Sequence, residues 1–480
     1  MQIRIFTYLI LFIISFQISA MADNDKPAYN VFIDTDGALD DFRAINMFLA
    51  GKDFNVLGIT GSQGTLTADN SFQKVNSLIS FYRHEGIPVG MSKSLSSDLP
   101  SWSTFAQNIS WSDIEGTLSP QDAIQLLENG VAGSKDKVTL VALGSLNTYA
   151  QWIKNTKQDI AKIEQIVWYN EPDLATQFNY LLDKKAYEEI LKSKVPLVVV
   201  SKGQRQLNTD IQYTDHLKPL RVVYVKRIME VLNSKSVKDK ILEGHSQLWD
   251  DLVPLYLSHP DLFAISEKSN YTNAVLNQDI PAANIFADVA QILNSKIEAM
   301  NRVFEIFPLQ PSLYKNDYSP IVEPTVDQYG LAEWKSIVLT NEVHGHTGIY
   351  SIIGAKAGIR ACEYFNVGVN NLFAVSYAGN KPPLSCFNDG IQISTGATIG
   401  QGLIKVSDQV LSIPTVDFEY NGRKIKLSLK KEIADKMQAD IKKGIAQYGM
   451  TRDYWVYIEK LAKDYWTDFD RHDIFDIEKI

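Results

Sequence analysis

Short β-branched runs alternate with helical patterns over residues 30–201, and this alternation constrains the fold most strongly. The predicted strands cover residues 29–33, 55–60, 138–142, 165–169 and 196–200. Helical patterns lie between them over residues 68–82, 120–129 and 183–192. Such alternation is typical of βαβ units. The sequence therefore predicts an α/β fold with a mostly parallel sheet flanked by helices, in which sites form at the carboxyl ends of strands.

Four carboxylates lie within eight residues at the end of the first predicted strand: Asp34, Asp36, Asp40 and Asp41. Asp40 and Asp41 would lie in the first turn of the next helix, where the dipole stabilises negative charge. Four anions this close repel one another, so either some are protonated or a cation binds among them. Carboxylate oxygens are the ligands of hard cations, so we predict a metal site. The alternative is that these aspartates only cap the helix and charge the surface.

The chain has 480 residues, which exceeds one ordinary hydrophobic core, so two or more domains are expected. Its 45% hydrophobic and 21% charged residues are typical of a soluble globular protein. A net charge of −9 without a long basic tract argues against a nucleic-acid partner. Only Cys362 and Cys386 occur, which excludes a disulfide framework but not a single bridge.

Residues 1–22 have the pattern of a signal peptide, with Arg4, an apolar stretch over 5–18 and the small residues Ala20 and Ala22. We expect cleavage near Ala22 and a secreted or periplasmic protein; a retained N-terminal anchor is the alternative. No other stretch is long enough to span a bilayer, so no membrane span is expected in the mature protein. Residues 309–330 lack periodicity and predict a linker between a domain over 29–308 and a smaller α+β domain over 331–480, which ends in a helical tail.

Five segments of the first domain resemble, in the same order, the inosine-uridine nucleoside hydrolase family. The aspartate run is similar to its signature D-x-D-P-G-x-D-D, with Gly37-Ala38 in place of Pro-Gly. The other segments are residues 56–65, 140–150, 176–183 and 248–257. The resemblance covers about residues 29–308 and implies an enzyme that hydrolyses the N-glycosidic bond of ribonucleosides or related ribosides. Export would suit scavenging of extracellular nucleosides, and the family suggests a homo-oligomer.

The resemblance also implies roles for particular residues. The calcium ligands would be Asp36, Asp41, the backbone carbonyl of Leu143, and Asp250. A water acidified by the ion would attack the anomeric carbon, with Asp36 as general base. Asp40 and Asn179 would hydrogen-bond the ribose hydroxyls, so Asp40 is counted with Asp36 and Trp249 among the catalytic candidates.

Three positions depart from the family pattern. Gln177 replaces a ribose-binding Glu, Thr65 replaces an Asn, and Trp249 replaces a His often described as the acid for the leaving base. All three remain substrate-binding candidates, since an indole can stack on a nucleobase. The alternatives are core packing for Trp249 and ordinary loop roles for Gln177 and Asn179. These departures leave open a calcium-stabilised nucleoside-binding or riboside-binding protein without turnover.

A second resemblance covers about residues 331–475. The motifs N-E-V-H-G-H-T-G and S-C-F-N-D-G-I-Q-I-S-T-G-A-T are similar to those of the FmdE-like family, named after a formylmethanofuran dehydrogenase subunit. Two family cysteines are Gly348 and Ala397 here. The remaining potential ligands are His344, His346 and Cys386, with Asp389 as a fourth ligand or a base. Two histidines and one cysteine could hold zinc; the alternatives are a histidine pair satisfied within its loop, and a protein whose chemistry resides entirely in this domain.

Overall fold

The computed structural model describes residues 26–480 except 96–97, 157–158 and 172. The predicted signal peptide over 1–22 therefore lies outside the described residues. In the part of the chain that is described, no helix is both long and apolar enough to cross a membrane. Cys362 and Cys386 are free thiols, so the single bridge left open by the sequence does not form.

The first domain is built on a nine-stranded sheet with the order β4-β3-β2-β1-β5-β6-β7-β9-β8. Its strands are β1 (Tyr29–Thr35), β2 (Phe54–Gly61), β3 (Val89–Met91), β4 (Gln121–Asp122), β5 (Val138–Ala142), β6 (Ile163–Tyr169), β7 (Leu197–Ser201), β8 (Phe263–Glu267) and β9 (Thr272–Leu276). All neighbours pair in parallel except β8 and β9. The predicted mostly parallel sheet is confirmed, and its five predicted strands are β1, β2, β5, β6 and β7.

Helices cover both faces of this sheet. They are α1 (Leu39–Ala50), α2 (Ala68–Phe81), α3 (Ser103–Gln107), α4 (Ala123–Gly133), α5 (Asn147–Asn155), α6 (Phe178–Leu182), α7 (Lys184–Ser193), α8 (Ile211–Leu217), α9 (Val223–Asn233), α10 (Lys235–Leu242), α11 (Leu252–Ser258) and α12 (Ala282–Glu298). Successive residues of β1 point to opposite faces. Val31 and Ile33 therefore pack in one buried cluster, while Phe32 packs in a separate one with Trp152 and Trp168.

The second domain is smaller and has the α+β character expected from the sequence. Its sheet has the order β11-β10-β12-β13-β14, with β10 (Phe373–Ser376), β11 (Ile404–Val406), β12 (Thr415–Tyr420), β13 (Arg423–Leu429) and β14 (Phe475–Lys479). Its helices are α13 (Val322–Tyr329), α14 (Leu331–His344), α15 (Ile349–Phe365), α16 (Phe387–Thr395), α17 (Lys431–Tyr448) and α18 (Arg452–Asp468). Helix α13 lies within the segment 309–330 that the sequence assigns to a linker, and its buried Val322 and Val326 join the core of the second domain.

The two domains contact each other through polar groups near the C-terminal ends of α1, α2 and α12. His84 Nδ1 bonds the carbonyl of Glu363 at 2.6 Å, and Arg360 Nη2 bonds Glu85 Oε2 at 2.9 Å. Lys296 Nζ bridges the carbonyls of Leu49 and Asn366 at 2.7 and 3.2 Å. Because these helices run antiparallel to the strands, the interface lies at the amino ends of the parallel strands.

Candidate active site

At the carboxyl ends of the parallel strands, opposite the domain interface, lies a cavity of about 780 Å³. All nine site residues predicted for the first domain line it: Asp36, Asp40, Asp41, Thr65, Leu143, Gln177, Asn179, Trp249 and Asp250. They come from the loops after β1, β2, β5 and β6 and from the segment before α11. The carboxyl ends of adjacent parallel strands thus bring together residues that are more than 200 positions apart in sequence.

The turn between β1 and α1 is closed by the Asp41 carboxylate. Its Oδ2 accepts hydrogen bonds from Thr35 Oγ1 at 2.5 Å, from the Asp36 N–H at 3.0 Å and from the Gly37 N–H at 3.1 Å. Gly37 has a φ of +91°, which favours glycine. Because Ala38 at the N-cap offers no side-chain bond, Asp41 supplies the anion that satisfies this turn and the start of α1.

Three carboxylates meet at one end of the cavity. Oxygens of Asp40, Asp41 and Asp250 lie within 4.8 Å of one another. The Oδ1 atoms of Asp41 and Asp250 are buried, and no N–H or O–H group of the described residues donates to them. Buried carboxylate oxygens without a donor are costly, and a divalent cation would satisfy both. The residues present therefore fit a hard metal ion.

Asp36, a predicted ligand, is not one of these three carboxylates, but it is close enough to Asp41 for their repulsion to raise its pKa. Leu143, the other predicted ligand, lines the same cavity. A Cβ at Gly64 would overlap the Asp36 carboxylate, and a Cβ at Gly144 would lie 2.9 Å from Asp36 Cβ. Two glycine loops therefore pack directly against Asp36. The carbonyl of Leu143 accepts a hydrogen bond from Asn179 Nδ2 at 3.1 Å, which ties the segment carrying Asn179 to the loop after β5.

Comparisons with known proteins identify the families of the two domains. A family model described as inosine-uridine preferring nucleoside hydrolase matches residues 31–303, which is more than half of the chain. The chain belongs to this nucleoside hydrolase family. Members cleave N-glycosidic bonds, so the protein is an N-glycosyl hydrolase. A second model, described as FmdE, molybdenum formylmethanofuran dehydrogenase operon, matches residues 343–471 and confirms the resemblance of the second domain.

Similar proteins cover the nucleoside hydrolase domain. The pyrimidine-specific ribonucleoside hydrolase RihA of Klebsiella pneumoniae (strain 342) is 26% identical over 266 residues, covering 50% of this chain and 83% of that protein. The RihA of Escherichia coli (strain SMS-3-5) is 28% identical with the same coverage. Among solved structures, a plant nucleoside hydrolase has 16% identity and a TM-score of 0.47, covering 56% of this chain and 100% of its own. A purine-preferring ribonucleoside hydrolase from Gardnerella vaginalis has 17% identity and a TM-score of 0.46, covering 55% and 99%.

The electrostatics of the nucleoside hydrolase site reflect crowding of buried acids. Burial and the neighbouring Asp41 raise the pKa of Asp40 to about 7, against the opposing effect of Arg43. Burial raises the pKa of Asp36 and Asp250 well above the usual range, with Asp41 and Asp40 adding repulsion respectively. Without a cation, burial and mutual repulsion therefore favour the protonated forms of Asp36, Asp40 and Asp250, in the direction expected from four neighbouring carboxylates.

Asp34 occupies a different environment from the other three aspartates of the turn. It is fully buried and accepts hydrogen bonds from Thr60 Oγ1 at 2.5 Å and Ser62 Oγ at 2.7 Å. Burial raises its pKa to about 6, while these hydroxyl groups act in the opposite direction. Asp34 therefore holds the loop after β2 against β1 and is not among the residues that line the cavity.

Aromatic side chains that the sequence analysis missed form part of the cavity wall. Trp102, Phe105, Tyr169 and Phe178 line it together with Trp249. Trp102 Nε1 donates to Thr65 Oγ1 at 3.3 Å, and its ring meets Phe178 edge-on at 5.0 Å between centroids. The sequence did contain a signal for Phe178, because it lies between the predicted substrate-binding residues Gln177 and Asn179. No comparable signal marked Trp102, which lies in the turn directly before α3, outside the recognised motifs.

Gln177 and Trp249 each combine a structural contact with exposure to the cavity. Gln177 Nε2 donates to Thr176 Oγ1 at 3.0 Å, so its amide is engaged by its own loop. Trp249 is half-buried and packs against the core of the nucleoside hydrolase domain while it lines the cavity. The two interpretations of Trp249, as core packing and as cavity wall, therefore describe different parts of one side chain.

The second domain brings together only part of its predicted zinc site. His344 Nδ1 lies 2.8 Å from Asp389 Oδ2, and the rings of His344 and His346 are 4.3 Å apart between centroids. Cys386 is half-buried, and burial and Asp389 raise the pKa of its thiol. Within residues 26–480, outside the gaps noted above, no three potential ligand atoms of this domain lie within 4.8 Å of one another.

Gly348 marks the position of a missing family cysteine. A Cβ placed there would lie 3.0 Å from His344 Nε2, a buried atom for which the described part of the chain offers no hydrogen-bond partner. Ala397, which stands at the other missing cysteine, is fully buried. The second domain has therefore lost a potential ligand directly beside its most buried histidine nitrogen.

Proposed function

We propose that the protein is an exported, calcium-dependent hydrolase that cleaves the N-glycosidic bond of ribonucleosides or related ribosides. The observation that carries the calcium proposal is the convergence of Asp40, Asp41 and Asp250 with two buried carboxylate oxygens that lack donors in the described chain. Calcium accepts six to eight oxygen ligands in irregular arrangements, including backbone carbonyls. Asp36 and Leu143 line the same cavity, so the Asp36 carboxylate and the Leu143 carbonyl would complete such a set.

The chemistry then follows from the placement of the chain's own groups. When bound, the calcium ion supplies a water of lowered pKa. Asp36 would accept the proton of a water whose oxygen bonds to the anomeric carbon, while the N-glycosidic bond breaks and the base leaves with its electron pair and takes a proton from solvent. Asp40 and Asn179 hold the ribose hydroxyls, and Asp40 also provides negative charge near the oxocarbenium-like centre. Asp36 is well suited to this role because two glycine loops restrict the position of its carboxylate.

The leaving base would be held by the aromatic part of the cavity. Trp102, Phe178 and Trp249 present faces and edges on which a planar nucleobase can stack. Curated relatives are pyrimidine-specific, and one neighbour among solved structures is purine-preferring, so ribonucleosides of both classes belong in the assay.

A nucleoside panel tests the function directly. The mature protein is assayed for ribose release from purine and pyrimidine ribonucleosides, after chelation and again after Ca²⁺ is restored. We expect turnover that is lost with chelator and recovered with Ca²⁺. Saturable nucleoside binding without ribose release across the panel would instead support the binding-protein alternative. Turnover unaffected by exhaustive chelation would overturn the calcium dependence.

Two further parts of the proposal concern the second domain and export. His344 holds a carboxylate at Nδ1 and leaves Nε2 buried and free of described partners, an arrangement typical of metal-bound histidines. We therefore propose zinc at His344, with His346 and Cys386 as further ligands; elemental analysis of the native protein tests this. Export rests on residues 1–22, and mass spectrometry of the secreted or periplasmic protein should show a mature N-terminus near Ala22.

A further inference from the structure

A buried ion pair connects the two segments that carry the metal-site carboxylates. Arg43 lies in α1 with 1% of its side chain exposed, and Asp251 precedes α11 with none exposed. The guanidinium donates from Nε to Asp251 Oδ1 at 3.0 Å and from Nη2 to Asp251 Oδ2 at 2.8 Å. Nη2 also donates to the carbonyl of Gln247 at 2.6 Å.

The position of this pair in the sequence gives it its significance. Arg43 follows Asp41 by two residues, and Asp251 directly follows Asp250. The three hydrogen bonds therefore join the first turn of α1 to residues 247–251, the segment that also carries Trp249. A bidentate guanidinium–carboxylate contact fixes orientation as well as distance, which a lysine would not do.

Stability alone does not explain why this pair is buried. Desolvating two charges costs about as much as their attraction returns, and apolar replacements of similar size are often neutral or stabilising. The charges also influence the site, because the Arg43 cation opposes the rise in the pKa of Asp40. A buried, oriented pair one or two residues from two metal-site carboxylates is better explained by a requirement for geometry.

We propose that Arg43 is a positioning residue that sets the separation of the Asp41 and Asp250 carboxylates through its bidentate contact with Asp251. The proposal rests on the proposed function, because it assigns this contact between Arg43 and Asp251, here called the brace, to the metal site of that function. Arg43 lines the cavity beside the carboxylates, but its guanidinium is engaged by Asp251 and the Gln247 carbonyl and, being a cation, is not a ligand for the metal ion. It holds α1 and the segment before α11 in one relative position. The Oδ1 atoms of Asp41 and Asp250, which lack hydrogen-bond donors in the described chain, can then bind the same metal ion.

The test compares variants by their affinity for Ca²⁺ alone, measured by titration calorimetry on chelated protein. The double variant R43M/D251L removes both charges and keeps side-chain volume. We expect its melting temperature to stay close to that of the wild type while its dissociation constant for Ca²⁺ rises about 10- to 100-fold, as for other groups that orient metal ligands. R43K keeps the positive charge but cannot make the bidentate contact. Its dissociation constant for Ca²⁺ should lie between those of the wild type and the double variant.

The control is R360M, which breaks the buried pair with Glu85 at the domain interface and should leave Ca²⁺ affinity unchanged. A double variant that binds Ca²⁺ as tightly as the wild type overturns the positioning role. If that variant does not fold, wild-type affinity in R43K overturns it instead. A wild-type protein that neither binds Ca²⁺ nor releases ribose overturns the proposed function itself, which distinguishes the two failures.

Discussion

The carboxylate site of the first domain and the histidine site of the second domain are held in different ways. Asp41 accepts three hydrogen bonds from its own turn, and the brace between Arg43 and Asp251 fixes the neighbouring segment. His344 makes one side-chain hydrogen bond, with Asp389, and Gly348 stands where the related family has a cysteine. The first site keeps the carboxylates Asp36, Asp40, Asp41 and Asp250 and departs from the family pattern at Thr65, Gln177 and Trp249, whereas the second lacks two cysteines of its family pattern.

This contrast indicates where substitutions are tolerated. Asp41 is tied to the N–H groups of its own turn and Asp36 is packed against two glycine loops, so replacing Asp41 would leave buried N–H groups unsatisfied. Gln177 and Trp249 lie on the cavity wall, where the Gln177 amide bonds Thr176 of its own loop. Thr65 is buried and hydrogen-bonds Asp36 directly.

The largest effect is expected from removing the general base. Asp36→Asn keeps the size of the side chain but cannot accept the proton, so kcat should fall by about 10²- to 10⁴-fold. His344→Ala in the second domain should leave ribose release within about twofold of wild type, since it lies outside the cavity. Steady-state assays with the preferred nucleoside measure both. A fall below tenfold for Asp36→Asn, or an equal fall for His344→Ala, would contradict the assignment of catalysis to the first domain.

An intermediate effect is expected from acid at the domain interface. His84 is buried between the Glu363 carbonyl and the Tyr224 hydroxyl, and burial lowers its pKa to about 4. The unfolded state therefore binds this proton first, so the stability that neutral His84 provides is complete above pH 6.5 and is lost as pH falls towards 4. Integrated over this window, the free energy of unfolding should drop by up to about 3 kcal/mol.

Comparison with His84→Gln isolates this contribution from those of the buried aspartates. Urea unfolding of both proteins between pH 7 and 4.5 should show a stability difference that shrinks as the pH falls. The pKa of Glu363 is held low chiefly by Arg471, so its contribution is lost only below this range. A difference that stays constant with pH would show that His84 does not titrate on unfolding in the manner described.

The smallest effect concerns the missing ligand of the second domain. Gly348→Cys would place a Cβ 3.0 Å from His344 Nε2 and require the Ser351 hydroxyl, at 2.7 Å, to rotate away. Zinc affinity should rise about tenfold, while nucleoside hydrolysis stays unchanged because the cavity of the first domain is untouched. Gly348→Ala is the matched control without the thiol. Equal zinc affinity in both variants would indicate that His344 does not face a metal.

Burial on both faces made five strands of the large sheet predictable, because β1, β2, β5, β6 and β7 read as continuous apolar runs. The strands that sequence reasoning missed lack this signal. β3 and β4 span three and two residues, and β8 is exposed after Phe263. The helix α13 within the predicted linker is short and gains its burial from the second domain's core, which local periodicity does not report.

The carboxylates of the site were predictable because they cluster in one turn and reappear in a recognisable late segment. Arg43 was not, since an arginine in a helix ordinarily faces solvent and its partner lies 208 residues away. Trp102 was missed for a similar reason, as its contact with Thr65 depends on the fold of an intervening loop. What remained hidden are the contacts between segments that only the assembled sheet brings together.

The position of the domain interface determines where small molecules can leave the cavity. The second domain is fastened to the amino ends of the parallel strands, whereas the cavity opens at their carboxyl ends. A sugar or base released in that cavity would therefore diffuse into solvent and would not pass through the domain interface to the second domain. Any small molecule bound by the second domain would therefore enter from solvent, and the two domains would exchange their ligands with solvent separately.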